Sequence, residues 1–240
     1  MPKIHVLLKK EELDQQRLPG KVVVVLDILF ATTSIVAALA HGAREVVPLP
    51  NGAAALAEAE KRPKASYVLS GELHAETLPG FCHPTPLSLT REDLADRALL
   101  YCTTNGTVAL HKSSEADHIY AAALVNGRAI VERIVRDHGD ETVLLVCSGS
   151  VDNFNLEDFY GAGYLVSLFN AMDPARYELT DAALAAGLLY EHGDALECLR
   201  QARVGRMMLA RNLEDEIRFA AQKDRYTVVP KLVDGVLRPT

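Results

Sequence analysis

Asp27, Glu72, Glu157 and Asp158 are the side chains whose surroundings most suggest chemistry. Asp27 follows the apolar run VVVVL at 22–26 and precedes Thr32, Thr33 and Ser34. A carboxylate therefore ends a predicted strand where hydroxyl residues begin a helix. Glu72 follows Gly71 beyond another short β-type stretch, and Glu157 and Asp158 are adjacent at the start of an apolar helical run. Oxygen ligands gathered this way suit Mg²⁺. The plainer alternatives are that Asp27 only caps a helix and that Glu157 and Asp158 only complement a helix dipole. Two further strand ends carry Thr103-Thr104-Asn105-Gly106-Thr107 and Ser148-Gly149-Ser150. A tight turn at Asn105–Gly106 offers hydroxyls and backbone N–H groups to an anion, although a threonine-capped junction has the same composition. The candidate catalytic residues are Asp27 and Glu72. Thr104, Asn105, Gly106 and Ser148 are candidates for substrate binding, and Asp27, Glu72, Glu157 and Asp158 for metal ligation.

The elements that must position these groups alternate between strand and helix. Strands are predicted over 3–8, 22–26, Glu45–Leu49, 67–70, 99–102, His118–Ala122, 143–146 and 226–229. Helices are predicted over 35–41, 53–61, 108–112, Gly127–Asp137 and 156–170, with most of 181–222 helical. Helices spaced between strands imply an α/β fold in which a mostly parallel sheet carries helices on both faces, with a helical C-terminal part. The ends of parallel strands gather on one edge, the usual binding edge. The segment 71–89, rich in Gly, Pro and His, is too long for an idle connection. Gly161 and Gly163 cost helix stability and make sense where another backbone packs closely. No linker or repeat interrupts the chain, so residues 1–240 read as one domain.

Composition narrows the function classes. The chain has 240 residues, is 49% hydrophobic and carries a net charge of −7. Nothing in it resembles a basic nucleic-acid groove. The apolar stretch at 22–40 contains Asp27 and divides into β-branched and alanine-rich halves, which argues against a membrane span. Four scattered cysteines without CxxC spacing, and no secretory leader, imply free thiols in a cytoplasmic protein. A nucleophilic Cys102 or Cys147 is less expected than a small buried cysteine. Cys82, His83 and His74 lack regular zinc-ligand spacing. The aspartate-phosphatase pattern DxDxT fails because Leu29 stands at its second acid.

Taken in order, the segments resemble the 2-phosphosulfolactate phosphatase (ComB-like) family. Its pattern DVLRATT, GERGG, PGF, TTTNGTRA, CAG, FSLED, LTDAA and VVP is matched here by DILFATT, GELHA, PGF, TTNGTVA, CSG, FNLED, LTDAA and VVP. The resemblance spans nearly the whole chain. It implies a cytoplasmic Mg²⁺-dependent phosphatase whose partner is a small anionic phosphate ester, with a homo-oligomer compatible and neither nucleic acid nor membrane involved. Phe30, Leu73 and Val108 stand where the family carries arginine, Asn153 where arginine is frequent, and Thr85–Pro86 where it has Ser-Pro. Arginine is the preferred bidentate partner of phosphate and sulfonate. The acids remain while this layer is replaced, and Phe30, Leu73 and Val108 are expected to line the site with apolar surface. The alternative is a diverged relative without phosphatase activity that binds a less charged ligand or a partner protein. Arg128, Arg203 and Arg206 are the side chains that could restore positive charge.

Overall fold

The valine run forms a strand because both of its faces are covered. In the computed structural model, which describes residues 1–73 and 75–240, β2 (Lys21–Leu26) has Val22, Val24 and Leu26 in one hydrophobic core and Val23 and Val25 in another. The chain runs β1 (Lys3–Leu7), β2, α1 (Ala31–Ala40), β3 (Glu45–Leu49), α2 (Gly52–Ala59), β4 (Tyr67–Leu73) and β5 (Glu76–Thr77). It continues through α3 (Pro86–Leu89), β6 (Ala98–Cys102), α4 (Gly106–Lys112), β7 (His118–Ala122), α5 (Gly127–Asp137), β8 (Thr142–Cys147) and α6 (Leu156–Met172). Then come β9 (Glu178–Leu179), α7 (Asp181–His192), α8 (Ala195–Gln201), α9 (Arg203–Leu209), α10 (Glu214–Ala220), β10 (Pro230–Val233) and β11 (Val236–Pro239).

The strands join in the order β5-β4-β6-β3-β11-β10-β7-β2-β8-β1-β9. Pairing is parallel within β4-β6-β3 and within β7-β2-β8-β1-β9. The β10–β11 hairpin lies between these groups and is antiparallel to both neighbours. This hairpin replaces the expected strand at 226–229. Its loop is Asp234-Gly235 with φ of 51° and 76°, the left-handed pair that a tight two-residue hairpin turn requires. Apolar cores on both faces of the sheet give three layers. Among the described residues, no helix is long and apolar enough to cross a membrane.

One close contact fixes the helix that carries two of the acids. A Cβ on Gly163 of α6 would lie 2.0 Å from the Ala186 carbonyl oxygen of α7. The glycine lets α6 press against the α7 backbone. Gly161, two residues earlier on the same helix, faces the Ile28 side chain beside Asp27.

Candidate active site

Asp27 is the first residue beyond β2, in a turn locked by its neighbours. Its N–H donates to Thr32 Oγ1 (3.0 Å), whose hydroxyl donates back to the Asp27 carbonyl (3.0 Å), and Thr33 Oγ1 donates to the Ile28 carbonyl (2.8 Å). The Ala31 N–H donates to Asp27 Oδ1 (3.3 Å), so the carboxylate does cap the helix while also lining a cavity. A Cβ on Gly106 would lie 2.7 Å from Asp27 Oδ2, so glycine is what allows α4 to begin against this carboxylate. Burial pushes the Asp27 pKa up to about 6, with the Glu72 charge adding and the Ala31 and Gly106 N–H groups and Lys10 opposing.

The other acids differ in how their oxygens are held. Glu72, at the end of β4, accepts from the Thr104 N–H (2.6 Å) and the Ala75 N–H (2.7 Å). Asp158 is buried and accepts from the Ile28 N–H (2.9 Å) and the Gly149 N–H (3.2 Å), so it ties the β2–α1 turn to the β8–α6 loop. Burial, then the charges of Asp27 and Glu157, push its pKa well up. Glu157 is also buried, yet neither of its oxygens has a hydrogen-bond partner among the described residues. Burial raises its pKa to about 7; the nearby N–H of its own backbone, outside hydrogen-bonding geometry, and the Arg203 charge oppose this, and the Asp27 charge adds to it.

Asp27, Glu72, Thr104, Asn105 and Arg203 line a cavity of about 230 Å³, together with apolar Leu29, Phe30, Val151, Val204 and Met207. Of the candidate site residues, Gly106, Ser148, Glu157 and Asp158 do not form its wall. Gly106 lies beneath Asp27, and Ser148 contributes its carbonyl to Lys10 Nζ (3.1 Å), while its own hydroxyl is buried without a partner among the described residues. Thr103 and Ser150, from the two polar strand-end runs, are on the wall as well, together with Asn155, which has no such signal. The four acids do not form a closed three-ligand cage. Among the described residues, the one set of three His, Cys, Asp or Glu side chains with ligand atoms all within 4.8 Å of one another is elsewhere, at His118, His138 and Glu141. Mg²⁺ does not need such a cage, because it commonly takes one or two carboxylates and fills its octahedron with water and phosphate oxygens.

Two cations serve this site. Arg203, at the start of α9, donates through Nη2 to Ser150 Oγ and approaches Asn155 Oδ1 (3.4 Å). Lys10 is buried and donates to Asn105 Oδ1 (3.0 Å) and the Ser148 carbonyl, with Glu11 3.1 Å away. Lys10 went unnoticed in the sequence. Its signal is its place just past β1, at the same kind of strand end as Asp27. Arg128 instead pairs with Asp224, and Arg206 bonds the Gln201 carbonyl. The cysteines are free; burial raises the pKa of Cys82, Cys102 and Cys198 to about 11 and that of Cys147 well up, which leaves poor nucleophiles. Of the irregular zinc set, His74 lies outside the described residues, and Cys82 and His83 belong to no such cluster among them.

A match to the 2-phosphosulpholactate phosphatase family runs over residues 7–235. The chain belongs to this family. A relative from Clostridium beijerinckii, named "Probable 2-phosphosulfolactate phosphatase", is 33% identical over 236 residues, covering 97% of this chain and 98% of its own. Relatives of the same name from Symbiobacterium thermophilum (34% over 223 residues; 92% and 94% covered) and Clostridium tetani (29% over 236 residues; 98% and 99%) agree. Within the 2-phosphosulpholactate phosphatase fold, the substituted arginine positions separate. Phe30 lines the cavity, but Leu73 is exposed and Val108 lies on α4 off the wall, which corrects the expectation that all three would line it. Asn153 is spent on the carbonyls of Val151 and Ser150. Thr85 donates to Glu216 Oε1 (2.7 Å) and so braces the 71–89 segment against α10.

Proposed function

We propose that the protein is a Mg²⁺-dependent phosphatase that hydrolyses a small phosphorylated hydroxy acid, such as 2-phosphosulfolactate, to the hydroxy acid and inorganic phosphate. Family membership and the name its relatives carry support the reaction class. The observation that carries the reading is Glu157, a buried acid behind the cavity wall whose two oxygens have no partner among the described residues and whose charge interacts with those of Asp27 and Arg203, both on the wall. Orphaned buried oxygens are costly unless something fills them. Asp27 and Glu157 would hold the cation, which when bound neutralises charge on the phosphate oxygens.

The remaining roles fall to residues of the chain. Arg203 offers charge-assisted N–H groups to an anionic oxygen. Lys10 occupies the carbonyl end of the Asn105 amide, which leaves the NH₂ end as the donor for a ligand. Glu72, fixed by two backbone N–H groups, takes the proton of the attacking water as its oxygen bonds to phosphorus. The P–O bond to the substrate then breaks, and the departing alkoxide is protonated from solvent. Asp158 positions the turn that carries Asp27. With one arginine among the lining residues and seven apolar side chains, the cavity favours an ester with fewer charges than phosphosulfolactate.

The test is phosphate release from 2-phosphosulfolactate, 2-phospholactate and phosphoglycolate, each with Mg²⁺ and with a chelator. Release that requires Mg²⁺, faster from a monocarboxylate ester than from phosphosulfolactate, is expected. No release from any ester in either condition would favour a non-hydrolytic relative.

A further inference from the structure

A second group of metal-ligating side chains lies at the other end of the strands. His118 opens β7, His138 follows the last residue of α5, and Glu141 immediately precedes β8. In the parallel register His118 pairs with Val22 and Thr142 with Lys21, at the start of β2, whereas Asp27 lies just past its end. At about 3.3 Å per residue, this places the group roughly 15–20 Å from Asp27.

The geometry is that of a small ligand set. The rings of His118 and His138 stack, with centroids 3.8 Å apart and planes at 24°. His118 Nε2 lies 3.6 Å and His138 Nδ1 3.2 Å from the same oxygen, Glu141 Oε1. One ligand atom from each of the three residues lies within 4.8 Å of the other two. The far nitrogen of His138, Nε2, is 2.9 Å from the buried Tyr120 hydroxyl. A hydrogen bond on the second nitrogen is how ligating histidines are oriented and their tautomer fixed. Glu141 Oε2 and His118 Nδ1 are buried without partners among the described residues. A single carboxylate oxygen thus faces two imidazoles while its twin is orphaned. A cation between the three groups would use the facing atoms fully.

We infer that His118, His138 and Glu141 form a second metal site, separate from the acid cavity, for a borderline transition cation of the Zn²⁺ class. Two imidazoles and one carboxylate are a donor set for Zn²⁺ and Co²⁺, while Mg²⁺ prefers oxygen ligands alone. Three protein ligands leave a fourth position for water. His118 and Glu141 are only partly buried, so an ion has access. The site would clamp the end of α5 to the starts of β7 and β8.

The experiment titrates metal-stripped full-length protein with Co²⁺ and Zn²⁺, read by Co²⁺ d–d absorption, calorimetry and melting temperature. One equivalent of Co²⁺ should give an imidazole-ligated, low-coordinate spectrum that Zn²⁺ bleaches and millimolar Mg²⁺ does not. Asp27→Asn should retain it. His118→Gln and Glu141→Gln should each weaken Zn²⁺ binding at least tenfold, and Tyr120→Phe by about 10–100-fold. Both Gln variants keep a polar side chain at a partly exposed position, and their metal-free circular dichroism checks folding. The inference is overturned if the parent protein takes up no Co²⁺ or Zn²⁺, a result that needs no variant. It is equally overturned if uptake survives unchanged in both Gln variants or disappears in Asp27→Asn.

Discussion

Glu157 and Asp158 are neighbours in sequence with opposite treatment by the fold. Each Asp158 oxygen receives a backbone N–H, whereas the Glu157 oxygens receive none among the described residues. The sequence displayed both acids and their helical setting, but not this division, which depends on α6 meeting the β2–α1 turn at Ile28, 130 residues away. Arg203 was visible only as one of three arginines; its place in the cavity comes from the packing of α9 beside Ser150 and Asn155. If Arg203 binds the anionic part of the substrate, Arg203→Met should raise KM by roughly ten- to a hundredfold, since a charge-assisted hydrogen bond contributes about 1.5–3 kcal/mol. Arg203→Lys should recover part of the loss. Steady-state kinetics that leave kcat/KM of Arg203→Met unchanged would remove this residue from the site.

Among the secondary-structure elements, the strongly periodic ones are legible in the sequence. The α5 helix occupies Gly127–Asp137 as predicted, and the strand-end placement of Asp27 follows from the wholly buried run Val22–Leu26 of β2. The missed β10–β11 hairpin was legible in Asp234-Gly235, a favoured pair for tight hairpin loops, but its position between two parallel groups is a long-range pairing with no local signal. The helical glycines provide a direct test of packing. Gly163→Ala places a methyl against the Ala186 carbonyl, and overpacking of this kind costs about 1–3 kcal/mol, so the melting temperature should fall by roughly 2–12 °C. In Gly187→Ala the new Cβ would be 3.6 Å from Val166 Cγ1, an ordinary contact. That variant should be neutral or up to about 1 kcal/mol more stable through helix propensity. Thermal melts showing equal effects would contradict the packing argument.

For the whole molecule, an unmet acid cluster couples stability to pH. Burial holds Asp27 near 6 and Glu157 near 7. The folded state therefore binds more protons than the unfolded chain between the ordinary carboxylate range and those values. This contribution to stability is present at low pH and is lost as pH rises toward 7. His5 and His138, whose pKa values burial lowers, act in the opposite sense below about 6.5, as neutral rings favour the folded state. The acidic contribution is isolated by Glu157→Gln, which is neutral at every pH. In metal-free buffer its advantage in melting temperature over the parent should widen from pH 5 to pH 8, and Mg²⁺ should close the gap by stabilising only the parent. A gap that does not change with pH would mean Glu157 is solvated or paired.

With Asp27 proposed as the carboxylate at which hydrolysis takes place, Asp27→Asn is the decisive variant. The change keeps size and shape while removing the charge a hard cation and a developing transition state require. Phosphate release from the best small ester, measured in saturating Mg²⁺ beside the parent, is predicted to fall by about 10²–10⁴-fold. Circular dichroism should be unchanged, and the metal-free melting temperature equal or higher. A variant that releases phosphate at the parental rate would contradict the account and reduce Asp27 to a helix cap.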